Sequence, residues 1–154
     1  MVYSSHMRRT LYSPRIIDQF LPKKDNVLND EMPTSPIVEQ LRHGFLYDEF
    51  EMLRRWLDVS DEQLAIWLDI SRATLHRRKK AGYFDKNESD RIARLARVFG
   101  KAYELFGSED AAREWLRSPA HAMSGEAPIA FCDTEVGARM VEDLIGQIDY
   151  GVFA

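Results

Sequence analysis

Apolar residues recur at three- and four-residue intervals along most of this 154-residue chain, the period of helices with one buried face. The pattern begins near Ile37 with Val38 and Leu41 and breaks at Gly44. A second segment, from about Tyr47 to Leu57, places Phe50, Leu53, Trp56 and Leu57 on one side. Ser60, followed by Gln63 in capping-box spacing, opens a short helix running to Leu68. After an Asp69-Ile70 turn, Ser71 opens another helix that Gly82 ends. A long helix is predicted from about Asn87 to Phe106, with Ile92, Leu95, Ala96, Phe99, Ala102, Tyr103 and Phe106 as its buried stripe. Gly107-Ser108 stops it and caps the next, from Glu109 to about Leu116. Thr134 caps a last amphipathic helix bearing Val136, Met140, Val141, Leu144, Ile145 and Ile148, with Gly151 at its end. Strand signals are weak throughout, so the fold class is all-α.

Punctuation divides the chain further. Pro14, Pro22, Pro33 and Pro36 mark residues 1–36 as an extended or partly disordered arm. Within that arm, Ile16, Ile17, Phe20 and Leu21 form a possible docking patch. Residues 37–101 then make a helix-turn-helix region, and residues 102–154 a small helical domain. Irregular connections through Pro119, Gly125 and Pro128 are tied down by Trp115 and Leu116. The segment 150–154, Tyr-Gly-Val-Phe-Ala, is apolar. Such an end either packs into its own core, the simpler reading of the residues, or inserts into a partner.

Charge sharpens the middle of the chain. The net charge is −4, yet residues 72–101 carry ten Lys or Arg against three Asp or Glu, and residues 102–154 carry three against ten. The helix opened by Ser71 holds Arg72, Thr74, His76, Arg77, Arg78, Lys79 and Lys80. Two short helices around a tight turn, the second basic, form the pattern whose second helix enters the DNA major groove. Cations on it attract phosphates, and Arg, Thr and His near its start suit base edges. The candidate DNA-binding set is therefore Ser71, Arg72, Thr74, His76, Arg77, Arg78, Lys79 and Lys80. Arg91, Arg94 and Arg97 on the long helix either extend this surface or pair with Asp90 and Glu88.

Catalytic chemistry finds little support. His6, His43, His76 and His121 lie far apart without metal-ligand spacing, and no Gly-rich phosphate loop occurs. The single Cys132 rules out an internal disulfide, and a lone cysteine is more often inert than reactive. The expectation is a non-enzymatic protein with no cofactor and no metal. No stretch reaches transmembrane length and no signal-peptide core is evident, so the expected compartment is the cytoplasm, away from any membrane.

One family matches residues 36–154 in order. The shared features are Glu88-Ser89-Asp90-Arg91, Leu95-Ala96-Arg97, Ala102-Tyr103-Glu104-Leu105-Phe106-Gly107, Ala112, Trp115-Leu116 and Pro119. They continue through Gly125-x-x-Pro128, Thr134-x-x-Gly137-x-x-x-Val141 and Ile148-Asp149-Tyr150-Gly151-Val152-Phe153-Ala154. The chain thus resembles Xre-type antitoxins with an Xre/MbcA/ParS toxin-binding domain, partners of RES-domain toxins. The resemblance implies that residues 102–154 bind the cognate toxin and cover the entrance to its NAD pocket. NAD chemistry would belong to that toxin. It also implies operator binding and autorepression as a homodimer within a larger toxin–antitoxin complex. By family position the toxin contacts are Arg139, Glu142, Asp143, Gln147, Asp149, Tyr150, Gly151, Val152, Phe153 and Ala154. Two positions depart from the pattern. Asp69 stands in a turn that often carries Gly, and Ala122-Met123-Ser124-Gly125 replaces a frequent Ala-Leu-Gly-Gly. The alternative is a free-standing helix-turn-helix transcriptional regulator whose C-terminal domain dimerises or senses a ligand.

Overall fold

A computed structural model of the chain describes Phe20 and residues 35–151. The expected N-terminal arm thus lies outside the described residues, apart from Phe20 and the start of the first helix. Seven α-helices follow among the described residues, with no strand. They are α1 (Ser35–His43), α2 (Tyr47–Leu57), α3 (Asp61–Trp67), α4 (Arg72–Ala81), α5 (Lys86–Phe106), α6 (Glu109–Arg117) and α7 (Glu135–Asp149). Two 3₁₀ helices, His121–Met123 and Pro128–Asp133, fill the connection between α6 and α7.

The ends of these helices follow local chemistry. Ser60, Ser71, Ser108 and Thr134 each accept a hydrogen bond from the backbone N–H three residues on, satisfying a donor the helix leaves open. Gln63 does not complete the capping box at α3; only the Ser60 half forms. The full box lies at α5. There Asp85 accepts from the Glu88 N–H at 2.7 Å, and Glu88 accepts from the Asp85 N–H at 2.9 Å. Gly82 and Gly107 end α4 and α5 in left-handed conformation.

Helix α5 is the spine, packing against α1, α2, α6, α7 and the second 3₁₀ helix. Its Ile92, Leu95, Ala96, Phe99 and Ala102 are buried as their spacing predicts. On its N-terminal side, Phe50, Tyr47 and Phe84 pack ring to ring, with Tyr47 stacked on Phe84 at 5.5 Å. Farther along, Trp56 stacks on Phe99 at 5.4 Å. Ser89 ties the α1–α2 connection to α5, its hydroxyl accepting from the Phe45 N–H at 2.7 Å and donating to the Asp85 carbonyl at 2.6 Å. The 21-residue α5 spans about 31 Å. It continues unbroken through residues 101 and 102, where the expected C-terminal domain begins.

Gly137 explains part of the Thr-x-x-Gly motif. The Thr134 hydroxyl accepts its N–H at 3.0 Å, bringing the first turn of α7 onto the preceding 3₁₀ helix. A Cβ at residue 137 would overlap the Phe131 carbonyl oxygen. Gly137→Ala is therefore expected to push α7 off its seat and cost about 1–3 kcal/mol, as overpacking does. A lowered Tm in thermal unfolding checks this, and an unchanged Tm contradicts it.

Candidate functional site

Helix α4 stands on the surface with none of its residues buried. Leu75 is half-buried and packs against the core that also holds Leu64, Ala65, Leu68 and Ile70. Between α3 and α4, Asp69 takes a left-handed backbone at φ 53°. A glycine would adopt that shape freely, whereas Asp does so at some cost. Arg91 of α5 holds the turn in place. Its guanidinium donates to the Leu68 carbonyl at 2.8 Å and to the Asp69 carbonyl at 2.6 Å. Ser124, in the other departure from the family pattern, is also left-handed at φ 56°.

The α4 side chains are partly arranged in advance. Ser71 accepts the Thr74 N–H at 3.1 Å and donates to the Thr74 hydroxyl at 2.9 Å. Arg77 donates to the same hydroxyl at 3.1 Å. Thr74 Oγ1 thus accepts twice, which leaves its own proton to donate outward. Ser71, Arg72, His76, Arg77, Lys79 and Lys80 are exposed, and Thr74 is half-buried.

Arg78 is placed differently from the rest of that set. It turns back onto α5, donating through Nε to Glu88 at 2.6 Å and pairing with Asp85 at 3.3 Å. Glu88 is only 4% exposed, so the pair is largely internal. The hydrogen bond to Glu88 holds the Arg78 pKa above the ordinary arginine value.

Arg91, Arg94 and Arg97 follow neither reading of the sequence in full. Arg91 clamps the turn. Arg94 makes a 3.9 Å contact with Asp90, but it also reaches Glu135 at 3.1 Å and the Asp133 carbonyl at 3.1 Å. Arg97 bonds Glu142 at 2.5 Å and Glu135 at 2.8 Å, and Lys101 bonds Glu142 at 2.7 Å. The positive stretch therefore splits in two. Its cations from Arg91 to Lys101 bind carbonyls and α7 carboxylates, while Arg72, Arg77, Lys79, Lys80 and Lys86 form no ion pair among the described residues. Outward positive charge is concentrated on α4 and the start of α5.

On α7, Arg139, Asp143, Gln147 and Asp149 are exposed, as are Tyr150 and Gly151 just beyond it. Glu142 differs, for its side chain is 13% exposed and committed to Arg97 and Lys101. Burial alone would raise its pKa; the hydrogen bonds from Lys101 and Arg97 outweigh burial and hold the carboxyl below the usual range. Glu135 is depressed in the same way, chiefly by Arg97. The expected contacts Val152, Phe153 and Ala154 lie outside the described residues. Val136 and Met140, grouped by periodicity with the buried stripe, are instead 72% and 49% exposed. At 100° per residue, Val136 lies about 140° around the helix from Val141, so both cannot face the core.

Cys132 is buried in the 3₁₀ helix before α7. Burial, with Glu142 and Asp133 nearby, pushes its pKa up to about 12. The reactive thiolate is then scarce near neutrality. Native protein is expected to resist iodoacetamide at pH 8 and to be alkylated once denatured, as intact mass would report. Rapid native labelling would contradict the buried placement. No group of His, Cys, Asp or Glu suited to a metal ion occurs among the described residues. Nor is any helix there long and apolar enough to cross a membrane.

A capped helix pair with an exposed basic second helix, joined by one spine to a second helical unit, defines a two-module helix-turn-helix protein. Comparison with known proteins narrows the class. A model of the antitoxin Xre-like helix-turn-helix domain matches residues 36–97, and one of the antitoxin Xre/MbcA/ParS C-terminal toxin-binding domain matches residues 101–151. An Antitoxin Xre from Yersinia enterocolitica is 33% identical over 77% of this chain and 81% of its own length. One from Photorhabdus laumondii is 31% identical over 85% and 81%. One from Pseudomonas putida is 35% identical over 42% and 41%. The chain belongs to the Xre antitoxin family, with a helix-turn-helix domain and a toxin-binding domain.

Proposed function

We propose that this chain neutralises a RES-domain toxin by covering the entrance to its NAD pocket and represses its own operon through α4. The observation that carries the reading is the presence of two separate exposed surfaces on helices held by one spine. One is the basic helix α4, free of internal ion pairs apart from Arg78. The other is the exposed α7 face that runs into Tyr150, which is 85% exposed.

The chain acts without catalysis or cofactor of its own, and the NAD chemistry is the toxin's. It works in the cytoplasm, where toxin and operator are both found. Homodimerisation within a larger toxin–antitoxin complex supports operator binding, because paired recognition helices read half-sites roughly 34 Å apart. Arg72, Thr74, His76 and Arg77 serve base readout, and Lys79 and Lys80 serve phosphates. Arg139, Asp143, Gln147, Asp149 and residues 150–154 face the toxin. Glu142 contributes by holding α7 on the spine.

Co-expression with the toxin encoded beside it is the test. A stable complex and a preserved cellular NAD pool are expected; a depleted pool despite abundant antitoxin would refute the reading.

A further inference from the structure

The outer face of α7 carries more apolar surface than a solvent-facing helix needs. Residues 136, 140, 143, 147 and 150 fall within about 80° of one another around the helix axis and form one ridge. Val136 is 72% exposed, Met140 49% and Tyr150 85%, with Asp143 and Gln147 between them. Within residues 101–151, the span matched to the toxin-binding model, these are the large apolar residues that are exposed among the described residues. The remaining large apolar side chains there are partly or wholly buried. Val141, Leu144 and Ile145, on the opposite face of the same helix, are sealed against the core.

We infer that the Val136–Met140 end of this ridge is a separate anchor that seats the helix in an apolar groove of the toxin, distinct from the blocking segment at residues 150–154. The inference rests on the toxin-neutralising reading and adds a surface to it. The ridge is continuous with Tyr150 and belongs to the matched toxin-binding domain, which commits its occupant to the toxin rather than to another protein. The occupant's groove is apolar at both ends and carries a cationic or hydrogen-bond-donating group opposite Asp143. Asp143 makes no ion pair within the chain among the described residues, while its neighbours Glu135 and Glu142 are already neutralised by Arg94, Arg97 and Lys101.

Anchoring and blocking then fall on different residues. Helix-in-groove recognition draws its affinity from apolar side chains on one face, and truncating such anchors weakens binding about tenfold or more. Neither Val136 nor Met140 is buried, so their loss leaves the core intact.

The experiment compares the full chain, the Val136→Ala/Met140→Ala variant and a chain lacking residues 152–154, each titrated onto a catalytically inactive toxin from the same operon. The double variant is expected to bind at least about tenfold more weakly with an unchanged Tm, while the shortened chain keeps affinity close to that of the parent. Parent-like affinity in the double variant would overturn the inference while leaving the antitoxin reading standing. Failure of the parent itself to bind would overturn that reading instead. Sedimentation of the free chain adds an independent check. If Met140→Asp turns a dimer into a monomer before any toxin is added, a second copy of the chain covers the ridge and the inference is wrong.

Discussion

Removing residues 150–154 is expected to leave a folded antitoxin that no longer silences its toxin. Tyr150 is 85% exposed and follows the last residue of α7, so losing its side chain takes little from the core. What it removes from the helix end is the hydrogen bonding of the Tyr150 N–H to Gly146 and of the Gly151 N–H to Ile148. Surface changes of this kind fall within about 0.5 kcal/mol, and fraying of a terminal turn adds little. On the proposed blocking of a NAD pocket, the functional effect is expected to be near complete, because a pocket left open would turn over even with the antitoxin docked beside it. Growth and NAD content in cells expressing both proteins would report it, with Tm as the control for folding. If cells remain healthy with NAD intact, the blocking contacts reside on α7 itself.

Arg72→Ala combined with Arg77→Ala is expected to abolish operator binding while leaving toxin neutralisation intact. Both side chains are exposed on α4, and Arg77 is already steered by its hydrogen bond to Thr74. Specific base contacts are worth about 1–3 kcal/mol each, so losing two corresponds to roughly thirty-fold to ten-thousand-fold weaker binding. Fluorescence anisotropy with upstream DNA at two salt concentrations would separate lost phosphate contacts, which flatten the salt slope, from lost base contacts. Unchanged affinity would refute the role of α4. Arg78→Ala belongs in the same experiment as a contrast. It strips the cationic partner from Glu88, itself 4% exposed, and leaves it the Asp85 N–H, which is expected to cost about 2–3 kcal/mol because a buried charge without a counter-charge is expensive. Arg78 is itself 24% exposed, so the cost stays below that of breaking a fully buried pair. Its signature is a lower Tm rather than a selective loss of DNA binding.

The elements were legible because their ends are local. Ser60, Ser71, Ser108, Thr134, Gly82 and Gly107 act within one turn of themselves, so short-range pattern locates them. The same reasoning failed wherever a partner lay far along the chain. Arg91 meets Leu68 and Asp69 across more than twenty positions, and Arg94 and Arg97 meet Glu135 and Glu142 across about forty. Charge counting saw these arginines as a positive run because it could not see the carboxylates folded against them. Arg78 belongs to the same positive run, and its partners Asp85 and Glu88, seven and ten positions on, lie outside its own helix. Val136 and Met140 are not separable by spacing from the inward residues of α7, because a helix with apolar residues on two faces gives an ambiguous stripe. Only the packed structure separates the face on the spine from the face in solvent.

The unbroken spine fixes the rotational phase between the helix-turn-helix and the toxin-binding domain. Arg91 grips the recognition turn, and Arg94, Arg97 and Lys101 grip α7, all from one continuous helix. Adding a single residue between Arg91 and Arg94 would turn one grip by about 100° relative to the other, whereas adding seven would bring them back to within about 20°. Length changes in this segment are therefore quantised by the helical repeat. A spacer that respects the repeat would carry the toxin farther from the DNA at the same angle, and one that does not would swing it around the axis.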